Sequence, residues 1–312
     1  MSGAPAPCPA CGGPLATWRT VPGSDPALPG DYELARCRSC GTAVTLAPAP
    51  ARAHEAGAYG GGTPRGARLV APILRAFDRQ RLAQLSRAGA RPPGRLLDVG
   101  AGRGRFVARA RAAGWYAHGI EPSRRGVEGA RARGIELVSS GIDDARVPTG
   151  SLDAATLWHV LEHLDDPGKA LERIASWLRP GGMLVVGVPN LGSVQARLGG
   201  ERWYHLDVPR HRTHFTVAGL EALLRAHGLE PVSACHVLAE HNPFGLWVSL
   251  VSRFTRVPSW LYHALKHNAP LRSRDALITA LALPLAPLAV LLEAAFGLAR
   301  RGGTVSVIAR RV

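Results

Sequence analysis

A loop of three glycines, each separated from the next by one residue, carries the most specific chemistry in this sequence. Residues 96–106 (LLDVGAGRGRF) contain, in order, Asp98, Gly100, Gly102 and Gly104. Glycines at this spacing let the backbone turn tightly and approach a ligand that any Cβ would exclude. A helix is predicted directly after the loop, and its unpaired N–H groups would face the same ligand. The pattern therefore predicts a cradle for a nucleotide-like molecule at the end of a buried strand.

Acidic residues beyond the loop extend this predicted site. Glu121 ends the next apolar run (GIEPS), 23 residues after Asp98. A carboxylate at that place can accept hydrogen bonds from both hydroxyls of a ribose. The following run leads into SSGIDDARVP, in which Ile142 could cover an adenine and Asp143 or Asp144 could accept its amino group. The residues predict a site for an adenosyl group, and the choice between the two aspartates is open.

The spacing G-x-G-x-G after an acid differs from the G-x-G-x-x-G of dinucleotide-binding folds. Together with LDAATLWHVLEHLDDP and LRPGGMLVVGVPN, it resembles the motifs of class I S-adenosylmethionine-dependent methyltransferases over roughly residues 90–240. The resemblance implies that the loop holds the methionine part of S-adenosylmethionine and that the acid orients the cationic cofactor. The cofactor-binding residues that it implies are Asp98, Gly100, Gly102, Gly104, Phe106, Glu121, Pro122, Ile142, Asp143 and His159.

Short apolar runs alternate with helical stretches from Arg95 onward, which is typical of βαβ units and a parallel sheet. The predicted strands cover residues 95–99, 116–121, 135–138, 153–158, 183–188 and 232–240, and residues 303–311 resemble a seventh. The predicted fold class is α/β, with the Rossmann-like seven-stranded sheet of the class I methyltransferases.

Helix boundaries are marked by capping and breaking residues. Asp166 predicts the cap of a helix that Pro-Gly-Gly at 180–182 ends, and Thr216 predicts the cap of another that Gly228 ends. A leading helix is predicted over residues 67–90 from the spacing of its apolar residues.

Two C-x-x-C pairs near the N-terminus have the spacing of metal ligands. Cys8 and Cys11 form one pair, Cys37 and Cys40 form the other, and a glycine follows each pair. Four thiolates in this arrangement predict a structural Zn²⁺ site, and free or redox-active thiols are the alternative. The segment resembles the zinc-binding N-terminal region of bacterial sugar and natural-product methyltransferases, where the module helps to close the acceptor site. Cys235 lies in an apolar strand and is interpreted as a core residue.

A long polar loop at residues 188–216 follows the predicted fifth strand, at the edge where α/β sheets bind ligands. Methyl transfer requires a group that removes a proton from the acceptor, and a histidine with a pKa near neutrality suits that task. His211 and His214 are therefore the candidate bases, with Tyr204 as a further catalytic candidate. The alternative is that each histidine only holds the loop by hydrogen bonding.

A second metal site is a further hypothesis. His159, Glu162 and His163 leave the fourth strand where small-RNA 3′-end methyltransferases, which this segment resembles, carry E-x-x-E-H. With His214 they would offer a divalent metal nitrogen and carboxylate ligands. Here His159 replaces the first glutamate, so the alternative is that these side chains line the cofactor pocket and fix the strand end.

An apolar insertion at residues 241–302 separates the last two predicted strands. Residues 276–298 contain one charged residue, Glu293, and are long enough to span a membrane. A single span would separate residues 303–311 from their sheet, so surface helices or a helical hairpin are predicted, broken by Pro284 and Pro287. Their predicted contacts to lipid headgroups are Arg253, Arg256, Arg272 and Arg274. Extra packing or a homodimer interface is the alternative.

The chain has 312 residues and a formal net charge of +15, which favours phosphate-bearing partners. The arginines are spread along the chain, so a solvated basic surface is favoured over a nucleic-acid groove. No secretory signal is recognisable at the N-terminus, which predicts a cytoplasmic protein, with peripheral contact at the inner membrane face.

The predicted domains are a zinc-binding module, a linker with the leading helix, the catalytic domain, the apolar insertion and the last strand, at residues 1–50, 51–90, 91–240, 241–302 and 303–312. The expected function is methyl transfer from S-adenosylmethionine to oxygen or carbon of a small-molecule, sugar or lipid-linked acceptor. Two alternatives are an RNA methyltransferase with a zinc ribbon, although no N-P-P-Y-type motif is present, and a catalytically silent cofactor-binding or membrane scaffold.

Overall fold

The computed structural model describes residues 7–25, 28–47, 67–238, 242–266, 269–271 and 273–312. The predicted linker over residues 51–66, the end of the strand predicted at 232–240, and Arg272 lie outside the described residues. The chain divides into two compact units. The sheet unit comprises Arg75–Val188, Leu220–Ala234 and Ser306–Val312, and the cysteine unit comprises Met1–Leu74, Pro189–Gly219 and Cys235–Val305.

The sheet unit is built on a seven-stranded sheet. Its strands are β4 (Arg95–Val99), β5 (Tyr116–Glu121), β6 (Val138–Ser139), β7 (Leu152–Trp158), β8 (Leu178–Pro189), β10 (Leu229–Cys235) and β11 (Thr304–Arg311). Their order is β10-β11-β8-β7-β4-β5-β6, and β4 is parallel to both β5 and β7. Because the central strands are covered by helices, they are apolar along most of their length. The predicted α/β methyltransferase fold is confirmed.

Several strand and helix boundaries differ from the sequence prediction. The strand expected at 135–138 is reduced to Val138–Ser139, because Gly134 turns the chain and Ile135 packs into the core at a helix end. The strand expected at 232–240 begins earlier, at Leu229. The helix expected to stop at Pro-Gly-Gly ends at Trp177, because Leu178 already has an extended backbone and begins β8.

Four helices with cap or packing signals surround this sheet. They are α1 (Ala67–Arg87), α2 (Arg105–Ala112), α3 (Arg124–Arg131) and α4 (Pro167–Trp177). The predicted leading helix is confirmed as α1, in which Phe77 and Leu85 are fully buried while Ile73 is half exposed. Asp166 caps α4 as predicted, since its Oδ1 accepts a hydrogen bond from the Lys169 N–H at 2.9 Å.

The cysteine unit contains a four-stranded sheet assembled from two distant parts of the chain. Strands β1 (Leu15–Pro22), β2 (Asp31–Cys37) and β3 (Ala43–Thr45) are antiparallel neighbours. The fourth strand, β9 (Thr213–His214), comes from the polar loop and pairs with β3. A small core of Val21, Leu34, Leu191 and Trp203 joins the two segments.

The loop and the insertion supply the helices of the cysteine unit. The loop forms α5 (Val194–Gly199). Thr216 caps the next helix of the chain, α6 (Val217–Ala226), by accepting from the Gly219 N–H at 3.1 Å, as predicted, and α6 belongs mostly to the sheet unit. The insertion contains α7 (Asn242–Val251), α8 (Trp260–Leu265), α9 (Arg274–Ala282) and α10 (Ala286–Leu298). It lies between β10 and β11 in the chain, so the predicted helical insertion is confirmed.

The last part of the insertion is unusually apolar on its surface. Residues Arg274–Leu298 form a helical run whose most apolar 18-residue window has a mean hydropathy of 2.0, so the run is long and apolar enough to cross a membrane, by length and composition only. Only 17% of its most apolar window is buried. Pro284 lies in the 3-10 turn between α9 and α10, and Pro287 lies in the first turn of α10. The prolines therefore separate two helices, as the sequence predicts.

Candidate functional site

The glycine loop requires glycine for two independent reasons. Gly100, Gly102 and Gly104 have φ angles of 69°, 58° and 73°, a region that other residues rarely adopt. A Cβ on Gly100 would lie 2.4 Å from Cγ2 of Val160, and a Cβ on Gly104 would lie 2.7 Å from Cγ2 of Ile135. The loop between β4 and α2 therefore turns tightly and has no room for side chains at Gly100 and Gly104. Such a loop, called the cradle below, can bind a ligand against its backbone.

Glu121 is held beside the cradle by main-chain donors. Its Oε2 accepts from the Gly102 N–H at 2.7 Å, and its Oε1 accepts from the Ser123 N–H at 2.9 Å. The residue is 2% exposed. A carboxylate oxygen can accept more than one hydrogen bond, so this carboxylate is oriented by the loop and retains the chemistry to accept hydroxyl donors. The predicted ribose-binding acid thus lies directly against the predicted cofactor loop.

Asp98 takes part in a buried polar cluster. Its Oδ1 accepts from Nη2 of Arg81 at 2.9 Å and from Oγ1 of Thr156 at 2.5 Å. Both Arg81 and Asp98 have side chains that are 5% exposed. The guanidinium of Arg81 also lies 3.7 Å from the ring centroid of Phe106, within the range of a cation–π interaction. The acid expected to orient a cationic cofactor is therefore balanced by a cation of the protein.

Sequence reasoning missed Arg81, although a signal was present. Phe77, Arg81 and Leu85 are spaced four residues apart and so lie on one face of α1. Phe77 and Leu85 are fully buried, which means that the arginine between them must be buried as well. An arginine on an apolar helix face needs a carboxylate partner, and Asp98 is that partner.

The other predicted cofactor residues have diverse environments within the sheet unit. Phe106 is a core residue with 2% exposure, Pro122 is exposed and Ile142 is half buried. Asp143 is exposed and forms an ion pair with Nζ of Lys169 at 3.1 Å. Their roles in cofactor binding stay predictions.

His159 has a backbone conformation that is uncommon outside glycine. Its φ is 54°, directly after the end of β7. Its Nδ1 lies 2.9 Å from Oε1 of Glu162, a buried glutamate. Non-glycine residues are held in this region only where the surrounding structure fixes them, commonly at ligand sites. The pair supports a site at this strand end, while the second divalent metal stays a prediction.

The four predicted zinc ligands lie together in the cysteine unit. The sulfur atoms of Cys8, Cys11, Cys37 and Cys40 are all within 4.8 Å of one another. The Cys8–Cys40 and Cys11–Cys37 sulfur pairs are 3.7 and 3.6 Å apart. A tetrahedral zinc with Zn–S bonds of about 2.3 Å places its sulfurs roughly 3.8 Å apart, so the cluster has the donor set and the size that Zn²⁺ needs.

Backbone donors favour the thiolate form of Cys37. Burial opposes the charged form of Cys37, but the N–H groups of Cys40 and Ser39 outweigh it and lower the pKa of the thiol to about 6. In contrast, burial raises the pKa of Cys8. Gly12 and Gly41, with φ of 71° and 76°, form the turns after each pair. The geometry is that of two zinc knuckles.

The polar loop at residues 188–216, called the histidine loop below, contains two buried histidines. Their hydrogen bonds define the tautomer of each imidazole. Nδ1 of His211 lies 2.9 Å from the carbonyl of His205, which can only accept, so Nδ1 carries the proton and Nε2 is the basic nitrogen. The hydroxyl of Thr45 donates to the His211 carbonyl at 2.8 Å and must therefore accept from Nε2 of His214 at 3.0 Å. His214 thus bonds to β3 of the cysteine sheet through Nε2.

A carboxylate lies near the basic nitrogen of His211. Oδ2 of Asp207 lies 3.9 Å from Nε2 of His211. Asp207 accepts from Oγ of Ser24 at 2.7 Å and is paired with Arg210, whose Nη1 also donates to Asp25 at 2.7 Å. Although burial opposes it, the positive charge of Arg210 holds the pKa of Asp207 well below its usual range. An ionised Asp207 would stabilise a protonated His211.

Tyr204 lies in an aromatic cluster. Its ring centroid is 4.8 Å from that of His205, 5.6 Å from that of Phe244 and 5.5 Å from that of Tyr262. These contacts connect the loop with α7 and α8 of the insertion. The catalytic role expected for Tyr204 stays a prediction, and its observed contacts are packing contacts.

Comparison with known proteins gives one consistent family. A family model described as "Methyltransferase domain" matches residues 73–234, more than half of the chain. A ubiquinone biosynthesis O-methyltransferase of Xanthomonas oryzae is 36% identical over 115 residues, which cover 35% of this chain and 46% of the relative. An uncharacterised 37.1 kDa protein in transposon TN4556 of Streptomyces fradiae is 36% identical over 113 residues, 34% of this chain and 33% of the relative. The chain thus spans about a third to a half of the length of these relatives.

Solved structures agree on the fold. The [4+2]-cyclase SpnF superposes with a TM-score of 0.50 at 21% identity, covering 78% of this chain and 92% of that protein. A protein from Galdieria sulphuraria, provisionally described as a sarcosine dimethylglycine methyltransferase, also has a TM-score of 0.50. It is 16% identical, and the match covers 76% of this chain and 86% of that protein. At these identities the likeness establishes the fold alone, and the two neighbours are described with different reactions.

Proposed function

Since the chain belongs to the methyltransferase-domain family, we propose that it transfers the methyl group of S-adenosylmethionine to an oxygen or carbon atom of a small-molecule, sugar or lipid-linked acceptor. The observation that carries the proposal is the glycine cradle with Glu121 bonded directly to it. A glycine cradle alone fits many nucleotides, but a cradle with an oriented acid at the next strand end fits an adenosyl group with its ribose.

The bound cofactor supplies an electrophilic methyl group on a positively charged sulfur, and the residues of the chain have to hold it and prepare the acceptor. Gly100, Gly102 and Gly104 would accept the cofactor against their backbone, and Glu121 would accept hydrogen bonds from the ribose. Asp98 would provide negative charge near the methionine part. Because Arg81 balances that charge, Asp98 would act chiefly by fixing the loop.

His211 is the residue we assign as the general base. Its Nδ1–H donates to the His205 carbonyl, so Nε2 would accept the proton of an acceptor hydroxyl or acidic carbon, and Asp207 would stabilise the imidazolium. His214 donates through Nε2 to Thr45 and is assigned a positioning role. The test is the pH profile of kcat/KM: His211→Gln should lower the rate by roughly 10²–10⁴ and remove the limb due to the base. A profile altered only in His214→Gln would reverse the assignment.

A structural Zn²⁺ held by the four clustered cysteines is part of the proposal. Zinc would cross-link the turns that precede β1 and β3, and β3 pairs with the strand that carries His214. The carbonyl of Cys40 accepts from Oγ1 of Thr216 at 2.7 Å, so a ligand residue also holds the end of the histidine loop. Zinc would thereby position the acceptor loop rather than activate the substrate.

The experiment that tests the whole proposal uses S-adenosylmethionine labelled in its methyl group. The full chain, loaded with zinc, is incubated with fractionated cell extract, and the label is followed into small molecules, lipids and RNA. Label in small molecules or lipids is expected. Label confined to RNA would support the alternative of an RNA methyltransferase, which the net charge of +15 favours.

A cofactor-binding protein with another activity is the second candidate function. It is favoured by the neighbour described as a [4+2]-cyclase, because the same fold there carries a reaction other than methyl transfer. Calorimetric binding of S-adenosylmethionine without any labelled product in any extract would support it. The absence of binding by zinc-loaded protein free of cofactor would contradict both candidates.

We further propose that the insertion lies on an anionic lipid surface at the cytoplasmic side, where thiolates stay reduced. Exposed aliphatic side chains form its apolar face: Leu277, Leu281, Leu283, Leu285, Leu288, Val290, Leu291, Leu292 and Leu298. Both acids of the same run are turned inward, since Glu293 accepts from the Gly303 N–H and Asp275 accepts from the Arg256 N–H. The face is therefore uninterrupted by negative charge, and Arg253, Arg256 and Arg274 are exposed in the same insertion.

Peripheral contact is preferred to a single span because β10 and β11, which precede and follow the insertion, are neighbours in one sheet. Sedimentation with vesicles containing anionic lipid should carry the protein down, and Leu281→Glu combined with Leu291→Glu should abolish this. Leu46→Glu, at an exposed leucine elsewhere in the cysteine unit, is the matched control. Failure to bind vesicles together with a dimer that the double variant dissociates would establish a homodimer interface instead.

A further inference from the structure

A cavity of about 340 Å³ within the cysteine unit has an unusual lining. One side is formed by the cysteine sheet and includes Trp18, Arg19 and Arg36. The other side is formed by the loop at residues 188–216 and includes Leu191, Arg197 and Trp203. Aromatic and aliphatic surface is therefore combined with three guanidinium groups. Among the described residues that line the cavity, none is acidic.

A β-bulge in β1 creates this arrangement. Thr17 pairs with Ala35 and Arg19 pairs with Leu34, so Trp18 is an extra residue without a partner in the ladder. A bulge of this kind redirects the side chains beside it and is common next to ligand sites. Here it places the guanidinium carbon of Arg19 3.7 Å from the ring centroid of Trp18. The guanidinium carbon of Arg36 lies 5.1 Å from the same ring.

Both guanidinium groups approach the same indole ring, and both residues line the cavity. Burial lowers the pKa of Arg19, the negative charge of Glu201 opposes this, and the positive charge of Arg36 adds a smaller lowering. Arg19 is partly buried and Arg36 is exposed, and a partly buried cation is stabilised by an anion beside it. Arginine pairs bind phosphoryl oxygens through parallel N–H donors, which suits a phosphate better than a single carboxylate.

We propose that this cavity binds a phosphoryl or diphosphoryl group, with Arg19 and Arg36 as its ligands. Trp18, Leu191 and Trp203 offer apolar surface for the part of the molecule attached to the phosphate, and Arg197 lies at the exposed rim. Because the cavity is lined by the loop at residues 188–216, which carries the proposed base His211, the ligand is assigned as the methyl acceptor. This last step rests on the proposed function. The acceptor is thereby placed in the class of phosphate esters or diphosphates.

The test is calorimetric titration of the zinc-loaded full chain with inorganic pyrophosphate, without S-adenosylmethionine. Arg19→Gln and Arg36→Gln should each weaken binding at least about tenfold, the loss expected for one charge-assisted contact. Arg38→Gln is the matched control, because Arg38 is an exposed arginine of the same unit outside the cavity. Nε of Arg36 also donates to the carbonyl of Gly41, which follows the zinc ligand Cys40, so zinc content is measured for every variant. If Arg36→Gln loses metal, Arg19→Gln alone tests the proposal.

Two further arms identify the source of the phosphate. Inorganic phosphate should bind more weakly than pyrophosphate if both guanidinium groups contact the ligand. The second arm compares the binding of the wild type and Arg19→Gln to vesicles with anionic headgroups. Equal binding would show that the cavity does not mediate lipid contact. The proposal is overturned if pyrophosphate does not bind, or if Arg38→Gln loses as much affinity as Arg19→Gln. S-adenosylmethionine is titrated in parallel. A wild-type protein that does not bind S-adenosylmethionine would contradict the proposed function, whereas the pyrophosphate titrations test the cavity alone.

Discussion

The cofactor cradle and the histidine loop are held in place by contacts of very different range along the chain. In the cradle, Glu121 accepts from main-chain groups two and nineteen residues away. In the loop, Asp207 is bonded to Ser24, 183 residues away, and Thr45 donates to His211 across 166 residues. Substitutions in the cradle should therefore change ligand binding while the fold survives, whereas substitutions around the loop should act first through the integrity of the cysteine unit.

The largest effect is expected from removal of a zinc ligand. Cys37→Ser should abolish metal binding and unfold β1, β2 and β3, because a structural zinc contributes on the order of 10 kcal/mol to such a module. Elemental analysis and hydrogen exchange of these strands measure the two losses. Cys235→Ser is the control, since Cys235 lies outside the cluster. Full exchange protection in a zinc-free Cys37→Ser protein would contradict the assigned role of the metal.

Breaking the buried ion pair comes next and tests whether the cradle also has a structural component. Asp98→Asn leaves Arg81 charged and buried with no ionised partner at Asp98, which should lower the free energy of unfolding by about 3–5 kcal/mol. The double variant Arg81→Met with Asp98→Leu should recover much of this stability in urea unfolding. S-adenosylmethionine binding should stay impaired in both proteins; restored binding in the double variant would mean that Asp98 acts only through the fold.

Glu293 joins the loop to the insertion inside the cysteine unit, where its carboxylate accepts from Gln195 and Gly303. Burial raises its pKa to about 7, against the ordinary value of 4.5. The folded protein thus binds this proton more tightly than the unfolded chain does, so the contribution of Glu293 to stability is greatest below about pH 4.5 and is lost as the pH rises through 7. The full difference corresponds to at most about 3 kcal/mol.

Glu293→Gln, which cannot ionise, should make stability less dependent on pH between about 5.5 and 8. Urea unfolding at both values measures this difference. Glu230→Gln is the control, because Glu230 is an exposed acid with an arginine partner. An unchanged pH dependence in Glu293→Gln would show that Glu293 titrates normally in the folded chain.

The smallest effect on stability is expected at the ribose-binding acid. Glu121→Gln keeps one acceptor oxygen for the main-chain donors but loses the charge and the second acceptor. S-adenosylmethionine affinity should fall roughly 10- to 100-fold, corresponding to one or two hydrogen bonds to a charged group. Calorimetry measures the affinity, and the melting temperature should change by only a few degrees. A severe loss of folded protein in Glu121→Gln would show that Glu121 is needed for folding. The cradle would then not differ from the histidine loop in this respect.

The features that could be predicted from the sequence are those in which the chemistry is local. The glycine loop, the Asp166 cap and the two cysteine pairs are contiguous motifs, and the structure has them at the predicted positions. The seven-stranded sheet followed from the resemblance to a known fold and from the alternation of strands and helices. The loss of most of the strand at 135–138 was not predictable, because Ile135 is apolar in either a strand or a helix end.

The missed features depend on distant parts of the chain. The two-residue strand β9 has no periodicity to recognise and exists because it pairs with β3. The Arg210 pair with Asp25 joins residues 185 positions apart, and each looks like a surface charge in the sequence. The bulge at Trp18 depends on the register of β1 against β2, which no short motif specifies. Tertiary contacts, rather than local propensity, determine this part of the molecule.

The position of Arg81 on α1 sets a limit on how the chain can be shortened. A truncated protein that begins at Arg95 would keep every glycine of the loop and both acids, and would look complete by its motifs. It would nevertheless expose the inner surface that Phe77 and Leu85 cover and leave Asp98 without its cation. The smallest autonomous version of the catalytic half therefore has to start upstream of Phe77, at a helix that shows no recognisable motif.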